Sequence, residues 1–171
     1  LTLLVRIAQA GAPPAPFGPE DVGWSRLHQG ALLALEARTL DARAQHIALA
    51  APARAAERVQ LLEQAAQQYG HALDRLAGEQ ALTWRRARAA REAAELTVRS
   101  MLAEAGREAA AGRGDNARDL RRSALKRAAL AAGLPDGVTA WSRRGSAVCT
   151  HALALLALGR CAAALEALLA G

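Results

Sequence analysis

The chain has 171 residues, a formal net charge of +6, and a composition that is 52% hydrophobic but only 3% aromatic. That length suits one domain, and the apolar share excludes a disordered chain. Alanine supplies 46 of the residues, and with leucine and arginine it gives a chain of strong helix formers in which strand-favouring residues are scarce.

Leu1–Ala10 is apolar but short, and no basic region precedes it, so it reads as an N-terminal arm rather than a signal peptide. Residues 11–19, Gly-Ala-Pro-Pro-Ala-Pro-Phe-Gly-Pro, form a proline-rich linker that no helix or central strand accommodates. A single helical domain is expected over residues 20–171. Its first helix starts at Pro19-Glu20-Asp21, where proline suits the first helical position and the acids oppose the positive end of the macrodipole. Leu33, Ala37, Leu40, Ala44 and Ile47 make one apolar stripe, and Pro52 ends or kinks the helix.

The clearest periodicity follows. Val59, Leu62, Ala66, Tyr69, Leu73 and Leu76 alternate at steps of three and four, a coiled-coil-like seam that Gly78 closes. Val59, Leu62, Tyr69, Leu73 and Leu76 are therefore candidate interface residues for self-association, and the same seam suits an intramolecular core equally well. A third helix from about Gln80 to Ala111 carries Trp84, Ala87, Ala94, Val98, Met101 and Ala105 on one side. Gly112-Arg113-Gly114 breaks it, and Asp115 or Asn116 is the expected N-cap of a fourth helix ending at Gly133. Leu134-Pro135-Asp136-Gly137 is a turn by its chemistry, and Val138–Ala170 is helical with a break at Gly159. The fold class is all-α: five or six antiparallel helices in a bundle or a short helical-hairpin array. Because so much of the apolar content is alanine, the core has few large anchors, chiefly leucines, Tyr69, Phe17 and the three tryptophans.

The charge is unevenly placed. Residues 81–127 carry 12 basic and 6 acidic side chains, whereas residues 1–80 carry 7 and 8. A polyanion would dock on this middle region. Arg118, Arg122 and Lys126 stand four apart on one face of the fourth helix, and Arg121, Arg143 and Arg144 extend the candidate nucleic-acid contacts. The same stretch interleaves acids with bases, as at Arg88 and Glu92, which is also the pattern of a solvated, salt-bridged surface.

Two segments resemble known families. Ala154-Leu-Leu-Ala-Leu-Gly159-Arg-Cys-Ala-Ala-Ala-Leu165-Glu, within residues 147–170, resembles the inner part of a tetratricopeptide repeat, with a leucine-glycine pair before the turn and Cys161 where a tyrosine is common. That resemblance implies a peptide- or partner-binding helical scaffold. Residues 125–144 resemble a helix-turn-helix unit. Ala129 and Gly133 stand at its small positions, Leu134 and Val138 flank the turn, and Trp141 lies in the second helix. The Gly133-to-Val138 interval is one residue shorter than the usual pattern. This resemblance implies that Val138–Arg144 enters a DNA major groove.

Nothing in the sequence carries chemistry. His28, His46 and His151 lack the neighbours that make a metal pair, and His71 with Asp74 is the nearest case but two residues do not make a site. No phosphate-binding loop, dinucleotide fingerprint or nucleophile elbow occurs. No cofactor and no enzymatic activity are expected. Cys149 and Cys161 are too far apart for a disulfide and read as small buried apolar residues, which fits a reducing, cytoplasmic setting. The longest apolar run, Ala152–Gly159, is far below the roughly 20 residues of a membrane span. The expected function is a non-enzymatic helical protein–protein interaction or scaffold domain, self-associating or binding another protein; the alternative is a DNA-binding protein.

Overall fold

The computed structural model describes residues 19–134, Ala77 apart, and 141–170, with side chains from Ser25 onward except over residues 141–146. The expected arm, residues 11–18 of the linker, and the turn at Pro135-Asp136-Gly137 lie outside the described residues, as do Phe17 and the side chains of Trp24 and Trp141.

Among the described residues six helices follow one another: α1 (Pro19–Ala50), α2 (Ala55–Arg75), α3 (Gln80–Ala110), α4 (Gly114–Ala132), α5 (Trp141–Ala157) and α6 (Cys161–Ala170). No strand occurs among the described residues. Each helix packs on the next in the chain, and α3 also meets α5, which is the pattern of an up-and-down hairpin array. Pro52 opens a short 3₁₀ turn, Pro52–Arg54, between α1 and α2. Its ring cannot continue the hydrogen-bond ladder, so α1 stops at Ala50. The turns after α2, α3 and α5 hold Gly78, Gly112 and Gly159 at φ of 87°, 77° and 73°, a left-handed backbone that a side chain would strain.

The expected stripes become the core. Ala37, Ala44 and Ile47 of α1 are buried with Leu61, Leu62, Ala65, Tyr69 and Ala72 of α2, while Leu33, Leu40, Val59, Leu73 and Leu76 pack against them half-buried. Helix α3 runs about 46 Å at 1.5 Å per residue and serves two cores. Leu82, Ala89 and Ala93 close the first. Val98, with Met101 and Leu102 beside it, builds a second with Ala124 and Ala128 of α4 and Ala154 of α5. Leu125 of α4 connects this to a small third cluster, Ala152, Leu155 and Ala164, under the last hairpin. Tyr69, Leu62 and Val98 are the largest side chains fully withdrawn from solvent.

Helices this rich in alanine approach closely. At Gly30 of α1 an added Cβ would stand 2.5 Å from Leu76 Cγ and 3.0 Å from Arg75 Cβ, so the end of α2 crosses α1 where no side chain intervenes.

Two expectations are corrected. Neither Asp115 nor Asn116 caps α4: the helix starts at Gly114 with Arg113 at the cap position and no side-chain cap bond. Asp115 pairs with Arg118 at 3.0 Å inside the first turn, and Asn116 Nδ2 donates to Glu108 Oε2 at 3.1 Å. Both side chains are thereby drawn away from the N-terminal amides. Cys149 and Cys161 are both exposed rather than buried. Cys149 shares an i, i+4, i+7 row with Leu153 and Leu156, and that row of α5 lies open to solvent.

Candidate functional site

The seam residues lie inside the molecule. Leu62 and Tyr69 have no exposed surface, and Val59, Leu73 and Leu76 pack half-buried on the core between α1 and α3. Burial pushes the Tyr69 phenol above its ordinary range, and the nearby Asp41 carboxylate adds to the rise. The chain's own helices cover Leu62 and Tyr69 completely and Val59, Leu73 and Leu76 in part.

The basic candidates separate into groups. Arg118, Arg122 and Lys126 are exposed on α4, and Arg121 is half-buried. Arg127 is drawn into an ion pair with Glu63 of α2. The side chains of Arg143 and Arg144 lie outside the described residues. Of the segment expected to act as a recognition helix, the described part opens α5, which continues to Ala157. Its Ala147, Thr150, Ala152, Ala154 and Leu155 are buried.

Arg118, Arg122 and Lys126 meet a fourth cation that the sequence reading did not single out. With Leu125 of the same helix, and Leu158 and Arg160 from the α5–α6 turn, they line a cleft of about 440 Å³. Gly159 at positive φ reverses the chain between Leu158 and Arg160, so both border the cleft. Arg118 and Arg122 make ion pairs with Asp115 and Asp119 across one helical turn, at 3.0 and 3.6 Å. These four side chains are all more than half exposed, and such pairs are worth well under about 1 kcal/mol, so they leave both guanidiniums free to exchange partners. Lys126 and Arg160 have no ion-pair partner among the described residues.

The hairpin whose turn supplies Leu158 and Arg160 also carries exposed leucines. Among the described residues, half of the exposed large apolar side chains fall on the last hairpin: Leu153 and Leu156 on α5, and Leu165, Leu168 and Leu169 on α6. Scattered exposed leucines are normal, whereas these five are concentrated on one short hairpin. The inner face of α6 is held by Ala164, Ala163 and Ala167 against α5. Alanines suffice to seat the helix, which leaves its larger side chains outside.

A second cleft, about 280 Å³, lies among Gln45, Arg58, Arg88, Arg91, Glu92, Glu95, Leu96 and Arg99. Here most of the charges engage one another, with Arg99 outside these pairs and Arg58 Nε unpartnered among the described residues. Glu92 accepts from Arg58, from Gln45 Nε2 at 3.2 Å, and pairs with Arg88 Nη1 at 3.5 Å, while Arg88 also pairs with the buried Asp41. Arg91, only 6% exposed, donates to the carbonyls of Ala131 and Leu134 at 3.4 and 2.7 Å. This network cross-links α1, α2, α3 and the end of α4.

Among the described residues no group of three or more His, Cys, Asp and Glu side chains is placed to hold a metal ion. None of the described helices is long and apolar enough to cross a membrane. Arg113-Gly114-Asp115, which spells an adhesion tripeptide, is engaged locally: Arg113 donates through Nε and Nη2 to Glu108 at 2.6 and 2.7 Å. No protein-family model, no curated protein and no solved structure matches this chain.

Proposed function

We propose that this chain is a helical protein-interaction domain whose docking element is the α5–α6 hairpin. The observation that carries the reading is the set of leucines on that hairpin, among them Leu153, Leu165 and Leu169 at 53%, 59% and 80% exposure. An apolar face of this kind is stabilised by burial against another polypeptide, at roughly 25 cal/mol per Å² removed from water. The resemblance of residues 147–170 to a tetratricopeptide hairpin points the same way, since such hairpins present side chains to a neighbour or a peptide.

The test is partner recovery from cell extract with three forms of the protein. Leu153→Glu combined with Leu165→Glu is expected to abolish recovery of the proteins that co-purify with the wild type. Leu49→Glu, a change at an 88% exposed leucine at the far end of α1, is expected to leave recovery intact. Identical recovery by all three forms would refute the reading.

The alternative, duplex DNA binding, draws support from the exposure of Arg118, Arg122 and Lys126 along one face of α4. Its mark is binding of a mixed-sequence duplex that weakens steeply with salt, because each neutralised phosphate releases counterions.

A further inference from the structure

We infer that the cleft between α4 and the α5–α6 turn is the specificity element of the interaction face, and that it receives an acidic amphipathic helix: a partner segment with leucine-type residues on one side and carboxylates along its edge. This rests on the reading of the hairpin as a docking element and adds the chemistry of what docks there.

Charge complementarity is the first argument. Arg118, Arg122, Lys126 and Arg160 line one cleft, and Lys126 and Arg160 have no carboxylate partner among the described residues. Four cations around a small opening attract carboxylates and repel a basic partner.

Spacing is the second. Arg118, Arg122 and Lys126 recur every four residues, so they stand about 6 Å apart along α4. Carboxylates at i, i+4 and i+8 of a helix laid alongside repeat at the same interval, as the flanking charges of paired helices do.

The floor is the third. Leu125 and Leu158 lie among the cations, so the cleft offers apolar contact where a phosphate would have none. Among the described residues no aromatic side chain lines it, so none of them offers a nucleobase a stacking surface. Leu165 follows the first residue of α6 by about one helical turn, roughly 6 Å. A helix held by the cleft therefore extends readily onto the leucines of the hairpin.

The experiment uses fluorescence anisotropy on the full chain with four probes: a labelled helical peptide carrying leucines on one face and glutamates along its edge, its glutamine counterpart, poly-glutamate, and a mixed-sequence DNA duplex. The acidic amphipathic peptide is expected to bind best, with the glutamine peptide weaker by about tenfold or more. Lys126→Glu with Arg160→Glu, two exposed positions, is expected to cost a similar factor while the helical circular dichroism stays unchanged. Equal binding of the glutamate and glutamine peptides would overturn the proposal. So would poly-glutamate matching the amphipathic peptide, or the duplex binding more tightly than either. Failure of the cleft alone is distinguishable from failure of the docking face. In the first case partner recovery ignores Lys126→Glu/Arg160→Glu but is lost with Leu153→Glu/Leu165→Glu; in the second it ignores both pairs.

Discussion

Arg91 of α3 donates a 2.7 Å hydrogen bond to the carbonyl of Leu134, 43 residues further on, and so fastens the end of α4 to the middle of α3. The last carbonyls of a helix have no intrahelical donor, and a guanidinium there answers both the unpaired oxygens and the negative end of the macrodipole. Arg91→Met removes the donor from the part-buried Leu134 carbonyl and leaves the Ala131 carbonyl with only the 3.4 Å bond from the Leu134 N–H. A loss of about 2 kcal/mol in chemical denaturation is expected. Hydrogen exchange should show the deprotection centred on residues 128–134, and uniform deprotection across the chain would contradict this role.

Gly30 and Gly106 are both helical glycines, yet opposite outcomes are expected on changing them to alanine. At Gly106 nothing lies within 4 Å of an added Cβ, so the substitution gains helix propensity and should stabilise by about 0.5–1 kcal/mol. At Gly30 the methyl group meets Leu76 and Arg75, and the overpacking outweighs the propensity gain by about 1 kcal/mol. Thermal denaturation of the two variants reads the difference directly; a stabilised Gly30→Ala protein would mean that α1 and α2 are free to separate there.

Asp41 is 5% exposed and pairs with Arg88 across α1 and α3. Removing the cation alone strands a buried carboxylate, so Arg88→Ala should cost about 3 kcal/mol. Adding Asp41→Leu to it should recover a large part of that loss, because the double variant buries no uncompensated charge. A single variant no less stable than the double would count against a buried pair.

Two hydrogen bonds from Arg113, with a third from Asn116, hold the Glu108 carboxyl down to about 2 from its ordinary 4.5. A depressed carboxylate contributes its stabilisation in full above its unfolded value, and loses it as the pH falls through the folded value. The α3–α4 turn is therefore expected to keep its geometry to about pH 3 and to loosen near pH 2. Carbon-detected NMR titration of Glu108 measures this, and a midpoint near 4.5 would show that the Arg113 bonds do not persist in solution.

The helices were legible because alanine-rich stripes at steps of three and four are read one residue at a time, and Pro52, Gly78, Gly112 and Gly159 punctuate them. The seam over Val59–Leu76 was equally legible, but periodicity specifies an apolar face and not what covers it. Its cover is α1 and α3, which only the tertiary arrangement reveals. Asp41 and Arg91 resembled any other charges on a solvated helix, because burial depends on helices far away in sequence. Arg160 was missed for the same reason: the three other cations of the cleft are 34 to 42 residues earlier, brought close by the turn at Gly159. Cys149 was misread because small apolar residues are usually buried, whereas here alanines such as Ala152 and Ala154 take the inner positions of α5.

The central claim is that the last hairpin is where another protein sits. Its most direct test is site-specific photocrosslinking in cells, with a photoreactive amino acid placed singly at Leu153, Leu165 or Leu49, all exposed positions. Discrete adducts with the same partner at Leu153 and Leu165, and none at Leu49, are the predicted result. No adduct at the two hairpin positions, or equal labelling at all three, would contradict it.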